Sequence, residues 1–358
     1  MCATFTGDAR QARKERAPPT GPAARAAHGA CRVRRPPGLR RLRRTPGRRR
    51  ARRRRGLRPR RSRLAPGAAW GAGYRAGWMI GEPRSSVTGM KSIAVLGAGK
   101  MGEALLSGLV KSGHPTDQLC FTERHQDRAA EVTERLGVRQ VDVADAAGVA
   151  DVLVVAVKPQ DIEPLLAVLK STIRPGALVV SICAGLPTAL YEQRLPEHTA
   201  VIRVMPNTPM LIGEAMSAIS PGRYATEEQL VEVTSMLGAV GRVVRVPEAQ
   251  QDNVTALSGS GPAYFFYFVE AMIEAGVLLG MSRQLASELI VQSALGAARM
   301  LSETGDHPAV LREAVTSPAG TTAMALRELE RHRTRAAITD ALEAARNRSI
   351  ELGRINGV

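Results

Sequence analysis

From residue 91 onward, apolar and polar positions follow two rhythms in turn. Short apolar runs lie at 92–96, 119–122, 151–157, 177–182, 200–204, 215–219 and 242–246. Those at 151–157 and 177–182 are continuously apolar, as strands buried on both faces are. Between the runs, apolar residues recur with helical spacing at 104–109, 127–136, 162–169, 186–195 and 228–237. This alternation predicts a doubly wound sheet. From about residue 248 the strand signal stops, and the spacing predicts helices over 263–279, 282–301, 319–330 and 335–352. The chain therefore reads as an α/β domain over 90–250 and a helical domain over 251–358, preceded by a segment of different character over 1–89.

The first apolar run leads into Gly97, Ala98, Gly99, Lys100, Met101 and Gly102. A glycine pattern between a strand and a helix is the opening of a dinucleotide-binding unit. Gly97 allows the sharp turn, Gly99 lets backbone N–H groups approach a pyrophosphate, and Gly102 lets the helix sit close on the strand. The helix N-terminus adds partial positive charge. At the end of the second strand such a fold selects its cofactor: a carboxylate takes the ribose 2′-OH of NAD, an arginine the 2′-phosphate of NADP. Glu123 and Arg124 stand there side by side, which leaves both cofactors open. Lys158, halted by Pro159 at the carboxyl end of the 151–157 run, is expected near the cofactor, because open sheets bind ligands at that end.

In the helical half, Ser258, Gly259, Ser260, Gly261 and Pro262 read as a helix start, with Pro262 suited to the first turn. Tyr264, Phe265, Phe266, Tyr267 and Phe268 follow, too close in sequence to share one helix face. A helix apolar all round is buried in a large core or against another subunit; the expectation is a helical domain that dimerises. Residues 315–322 put hydroxyls, a proline and a glycine ahead of the helix through Ala323, Leu326 and Leu329. Such a segment caps a helix, and it also presents free N–H groups to a carboxylate.

Charge changes the picture only at the start. Residues 1–89 hold 24 arginines and Lys14 against Asp8, Glu15 and Glu82, which outweighs the whole net charge of +17; the remainder is mildly acidic. Like-charge repulsion and scarce apolar surface predict that this arm is disordered. It reads as an arm that binds nucleic acid through phosphate contacts, as an organelle transit peptide, or, the reading favoured, as translated sequence upstream of a start at Met90. Cys2, Cys31, Cys120 and Cys183 show no paired spacing, so neither a disulfide framework nor a zinc site is expected, and a reducing, cytoplasmic compartment fits. No apolar run reaches the roughly 18–20 residues of a membrane span. Nucleic acid is not an expected partner of the remainder.

From Lys91 to about Gly353 the chain resembles the pyrroline-5-carboxylate reductases, the enzymes of the last step of proline biosynthesis. The resemblance rests on the glycine loop, on Ala156, Val157, Lys158 and Pro159, on the 258–264 segment and above all on 315–322. It implies a Rossmann-like domain followed by an all-α dimerisation domain like the C-terminal domain of 6-phosphogluconate dehydrogenase. It implies reduction of 1-pyrroline-5-carboxylate to L-proline with NADPH or NADH and no metal. Cofactor contacts would fall on the glycine loop, on Thr122, Glu123 and Arg124, on Ala156 to Pro159, and on Ile182, Cys183 and Ala184. Substrate contacts would fall on Val315, Gly320, Thr321 and Thr322, with Thr322 touching the reacting ring. An intertwined dimer would combine the cofactor domain with helices of two subunits, and rings of dimers occur in the family.

Some positions depart from the family pattern. An asparagine before the fourth strand is replaced by Asp142, Val143 and Ala144; a glutamate ahead of the His307–Pro308 step has only Glu303 as a candidate; Ala319 stands where glycine is commoner. The chemistry agrees with the residues: a cyclic imine is already electrophilic, so orientation and a hydrogen bond to nitrogen suffice. A β-hydroxyacid dehydrogenase shares this architecture but resembles its relatives in a catalytic lysine on the second domain, and here no lysine follows Lys170. A related imine reductase, a deazaflavin-dependent reductase and a non-catalytic dinucleotide binder complete the alternatives.

Overall fold

The computed structural model describes residues 91–355. The arm over 1–89 and its three readings, the start proposed at Met90, and Cys2 and Cys31 lie outside the described residues. Eight strands form one sheet: β1 Ile93–Leu96, β2 Leu119–Thr122, β3 Arg139–Gln140, β4 Val152–Val155, β5 Leu178–Ser181, β6 Ala200–Met205, β7 Ala215–Pro221 and β8 Gly241–Arg245. Their order is β3-β2-β1-β4-β5-β6-β7-β8. β1 to β6 run parallel, whereas β7 pairs antiparallel to β6 and carries β8 alongside it. The order reverses between β1 and β4, which puts the ligand crevice of a doubly wound sheet at their carboxyl ends.

The helices between the strands are α1 Lys100–Lys111, α2 Gln126–Leu136, α3 Val143–Val149, α4 Ile162–Thr172, α5 Thr188–Arg194 and α6 Glu227–Gly238. The period of two in each strand sends Val95, Phe121 and Ile202 into one core with Leu105, Leu109 and Leu237. Leu96, Leu153 and Val179 go into the other with Leu166, Leu169 and Tyr191. Continuous apolar runs were required because both faces of the sheet are covered.

The helical part comprises α7 Gln251–Val254, α8 Gly261–Leu278, α9 Arg283–Thr304, α10 Pro308–Ala314, α11 Thr321–Arg331 and α12 Thr334–Ile355. A π-helical turn, Thr255–Gly259, joins α7 to α8. Ser258 and Gly259 thus belong to that turn rather than to α8, while Pro262 occupies the first turn of α8 as expected. α8 and α9 cross closely, since a Cβ on Gly276 would stand 2.9 Å from the Ala286 Cβ. Much of their apolar surface has no partner among the described residues: Phe265, Phe266 and Tyr267 are 71%, 69% and 69% exposed. Among the described residues, Phe265, Phe266 and Tyr267 are therefore not part of a core.

α12 returns to the sheet. The Ser349 hydroxyl donates to Asp252 Oδ1 at 2.7 Å, and Gly353 lies against Gly185, where a Cβ would meet the Gly185 carbonyl oxygen at 2.9 Å. Beneath this contact, buried Arg203 of β6 reaches Glu248 at 3.4 Å and Asp252 at 4.0 Å. Glu248 also accepts from the Thr188 N–H at 2.8 Å and from its hydroxyl at 2.6 Å. One charged cluster thus links β6, the start of α5, the α7 segment and the last helix.

Candidate functional site

The register places the expected cofactor segments on one row. Leu96 pairs with Thr122 and Val155, and Val155 with Ser181. The glycine loop, Thr122 to Arg124, Ala156 to Pro159 and Ile182 to Ala184 therefore all leave the sheet at the same edge.

The glycines act as the spacing requires. Gly97 has φ +106°, and a Cβ there would stand 3.0 Å from the Ala156 carbonyl oxygen. A Cβ on Gly102 would collide with the Gly97 carbonyl and reach Val95 at 3.0 Å. Around Gly99 a Cβ would meet nothing within 4 Å, so the mouth of the loop is open. Gly99 is the N-cap of α1 and has no side-chain cap, which leaves N–H groups of the first turn, at Lys100, Met101 and Gly102, for an anion. These features fit a bound pyrophosphate. Glu103, an acid in that turn, is gripped by Arg128 and Arg135 of α2, which offsets its charge.

Thr122 serves the loop directly. Its carbonyl accepts from Gly97 N–H and Ala98 N–H, each at 3.1 Å, and its hydroxyl accepts from Gly97 N–H at 3.2 Å. Beyond it, Glu123 and Arg124 do not pair with each other through their side chains. The Glu123 carboxylate accepts from the Arg124 N–H at 2.8 Å and the His125 N–H at 3.1 Å. The Arg124 guanidinium instead contacts Asp161 at 2.6 Å. Asp161 carried no signal in the sequence; 37 residues separate the two.

Lys158 is exposed at the end of β4, and Pro159 starts a 3-10 turn that ends at Asp161. Ile182 and Cys183 are buried, whereas Ala184 is exposed. Burial pushes the Cys183 thiol up to about 11, so it stays protonated and donates to the Val157 carbonyl at 3.2 Å. Cys183 thus ties the ends of β4 and β5 together with its side chain.

The helical segment is built separately. Ser317, Pro318, Ala319 and Gly320 form a turn closed by Gly320 N–H on the Ser317 carbonyl at 3.0 Å. Pro318 sets the second position, and Ala319 takes φ +57° at the third, the type II arrangement that glycine prefers. A Cβ on Gly320 would collide with the Ser317 hydroxyl. Gly320 is the N-cap of α11 without a side-chain cap, so N–H groups of Thr321, Thr322 and Ala323 point outward as at α1. Thr321 and Val315 are exposed and Thr322 half-buried. Hydrogen bonds of this segment are local ones, such as the Thr316 hydroxyl on Arg312 at 2.6 Å. No hydrogen bond joins it to the glycine loop within one chain, and Glu303 stands exposed on the last turn of α9.

Between the two parts lies a cavity of about 420 Å³ lined by Asn207, Pro209, Leu257, Ser258, Pro262 and Phe265, among others. Asn207 bridges it: Nδ2 donates to the Ser258 carbonyl at 3.3 Å while Oδ1 accepts from Met216 N–H at 2.9 Å. Hydrophobic spacing carried no signal of this bridging role.

Two family models match: one described as pyrroline-5-carboxylate reductase dimerisation over residues 248–352, the other as NADP oxidoreductase, coenzyme F420-dependent, over residues 92–185. A pyrroline-5-carboxylate reductase of Mycobacterium tuberculosis is 44% identical over 287 residues, covering 74% of this chain and 97% of the relative. That of Corynebacterium melassecola is 45% identical over 269 residues, covering 74% and 100%. Among solved structures, a pyrroline-5-carboxylate reductase from Coxiella burnetii superposes with TM-score 0.70 at 37% identity, over 74% of this chain and 99% of that one. A Plasmodium falciparum pyrroline carboxylate reductase with NADP bound gives TM-score 0.68 at 28% identity, over 74% and 100%.

Proposed function

This chain belongs to the pyrroline-5-carboxylate reductase family, and from that premise we propose how its residues carry out the family's reaction, reduction of 1-pyrroline-5-carboxylate to L-proline. NADPH, with NADH as the weaker alternative, supplies a hydride to the imine carbon when bound. The glycine loop holds the pyrophosphate on the first-turn N–H groups of α1, and Arg124 meets the 2′-phosphate. The placement of Glu123 supports that preference, because one oxygen of its carboxylate, Oε1, is already held by two backbone N–H groups. Ala156, Lys158 and Ala184 line the rest of the cofactor's path along the sheet edge.

The N–H groups at the start of α11 bind the substrate carboxylate, and the Thr322 hydroxyl donates toward the ring nitrogen. No strong acid is asked of the protein; its residues orient the ring and exclude water. The observation that carries this reading is that α1 and α11 each start at a glycine N-cap, Gly99 and Gly320, which leaves first-turn N–H groups open to one anion each. They lie on separate parts of the chain, so a homodimer that brings α11 of one subunit to the sheet edge of the other completes the site. The bare faces of α8 and α9 support that dimer; rings of dimers are its larger form. The domain boundary falls near residue 250, and the buried free thiols of Cys120 and Cys183 support a cytoplasmic enzyme.

The test is a parallel assay of NADPH and NADH oxidation with 1-pyrroline-5-carboxylate, in the full chain and in a form begun at Met90. Proline forms with both, faster with NADPH. Thr322→Ala lowers turnover at least about tenfold, the cost of one positioning hydrogen bond. An unchanged rate removes Thr322 from the mechanism.

A further inference from the structure

We propose that Asp161 is a specificity-determining residue that competes with the cofactor's 2′-phosphate for Arg124 and so limits the preference for NADPH. The inference rests on the reading of Arg124 given above, and deepens it.

Asp161 stands at the N-cap of α4, where an aspartate ordinarily accepts from the backbone N–H groups of its own helix. Here its side chain makes no capping bond. The carboxylate is spent on Arg124 instead, at 2.6 Å, and its side chain is 25% exposed where that of Arg124 is 75% exposed. The backbone under it is fixed, since Asp161 N–H donates to the Lys158 carbonyl at 2.9 Å. The pair is thus asymmetric: a held anion and a projecting cation at the end of β2.

The surrounding groups make this contact decisive. Glu123 already occupies the Arg124 and His125 N–H groups, so those donors are closed to a phosphate and the guanidinium is the cationic handle beside them. A phosphate that takes the guanidinium from Asp161 costs an ion pair. One that shares it comes within the width of a guanidinium of a carboxylate, and like charges repel. Either way NADPH bears the cost. NADH presents a neutral hydroxyl at the same place and leaves the pair intact.

The experiment measures binding without substrate, by titration calorimetry of NADPH and NADH into the full-length protein and its Asp161→Asn and Arg124→Ala variants. Asp161→Asn keeps the shape and removes the charge. It tightens NADPH about threefold, the scale of an exposed ion pair, and leaves NADH unchanged. Arg124→Ala weakens NADPH selectively. If Arg124→Ala does so but Asp161→Asn leaves NADPH unchanged or weakens it, the competition is overturned while the role of Arg124 stands. If Arg124→Ala weakens both cofactors equally, the reading of Arg124 and the inference built on it fall together.

Discussion

Ala319 carries a left-handed backbone on a side chain that resists it. L-residues other than glycine pay about 1 kcal/mol or more there, and Ala319 sits in that region at φ +57° because Pro318 and the Ser317–Gly320 hydrogen bond define the turn. Glycine would relieve the strain but lose more entropy on folding, about 0.5–1 kcal/mol, so Ala319→Gly leaves the thermal midpoint and KM nearly unchanged. Ala319→Val adds a branched side chain where φ is positive, costs more than about 1 kcal/mol, and raises KM by displacing the N–H groups of α11. Equal KM values for both variants would separate the turn from substrate binding. The resemblance implied glycine at this position; the reason for it, a type II turn, needed the backbone angles.

The charged cluster at Arg203 shows what an element can contribute beyond its own hydrogen bonds. The Arg203 side chain is 6% exposed and stands between Glu248 and Asp252. Its removal takes the shared cation from two carboxylates that keep only neutral donors, Thr188 and Ser349, and Arg203→Ala is expected to destabilise by about 3 kcal/mol. The Arg245–Glu227 contact at 2.7 Å lies in solvent, so Arg245→Ala costs less than about 1 kcal/mol. Urea denaturation of the two variants checks the contrast, and similar midpoints would reduce the cluster to a surface ion pair. This scale also marks where the pattern of the sequence stops. The long helices and the strands of four or more residues follow from periodicity. β3, α3 and α10 do not, although α5, as short as α3 and α10, did show its spacing. Nor do Arg124–Asp161 and Arg203–Glu248, which join residues 37 and 45 apart; hydrophobic spacing says nothing about which charges meet.

For the molecule as a whole, the sheet is self-sufficient and α8 and α9 are not. Two cores cover both faces of the sheet, while Phe265, Phe266, Tyr267 and, at 51% exposure, Leu289 are bare. Stability is therefore coupled to association: the thermal midpoint rises with protein concentration, and Leu289→Glu gives a smaller species whose lower midpoint no longer does. A midpoint independent of concentration in the unsubstituted protein would mean that the helices are stable alone. The edge proposed for the cofactor was legible because one strand-turn-helix unit encodes it, whereas the turn proposed for the substrate was legible as a segment but not as a place. There is finally a matter of timing in the contact between α12 and the sheet. Asp252 emerges from the ribosome 97 residues before the Ser349 that binds it, which at the usual pace of synthesis is on the order of ten seconds. For that interval the carboxylate beneath the β5–α5 loop waits with one donor missing, and a nascent chain halted before Ser349 would carry a finished sheet with an unfastened seam.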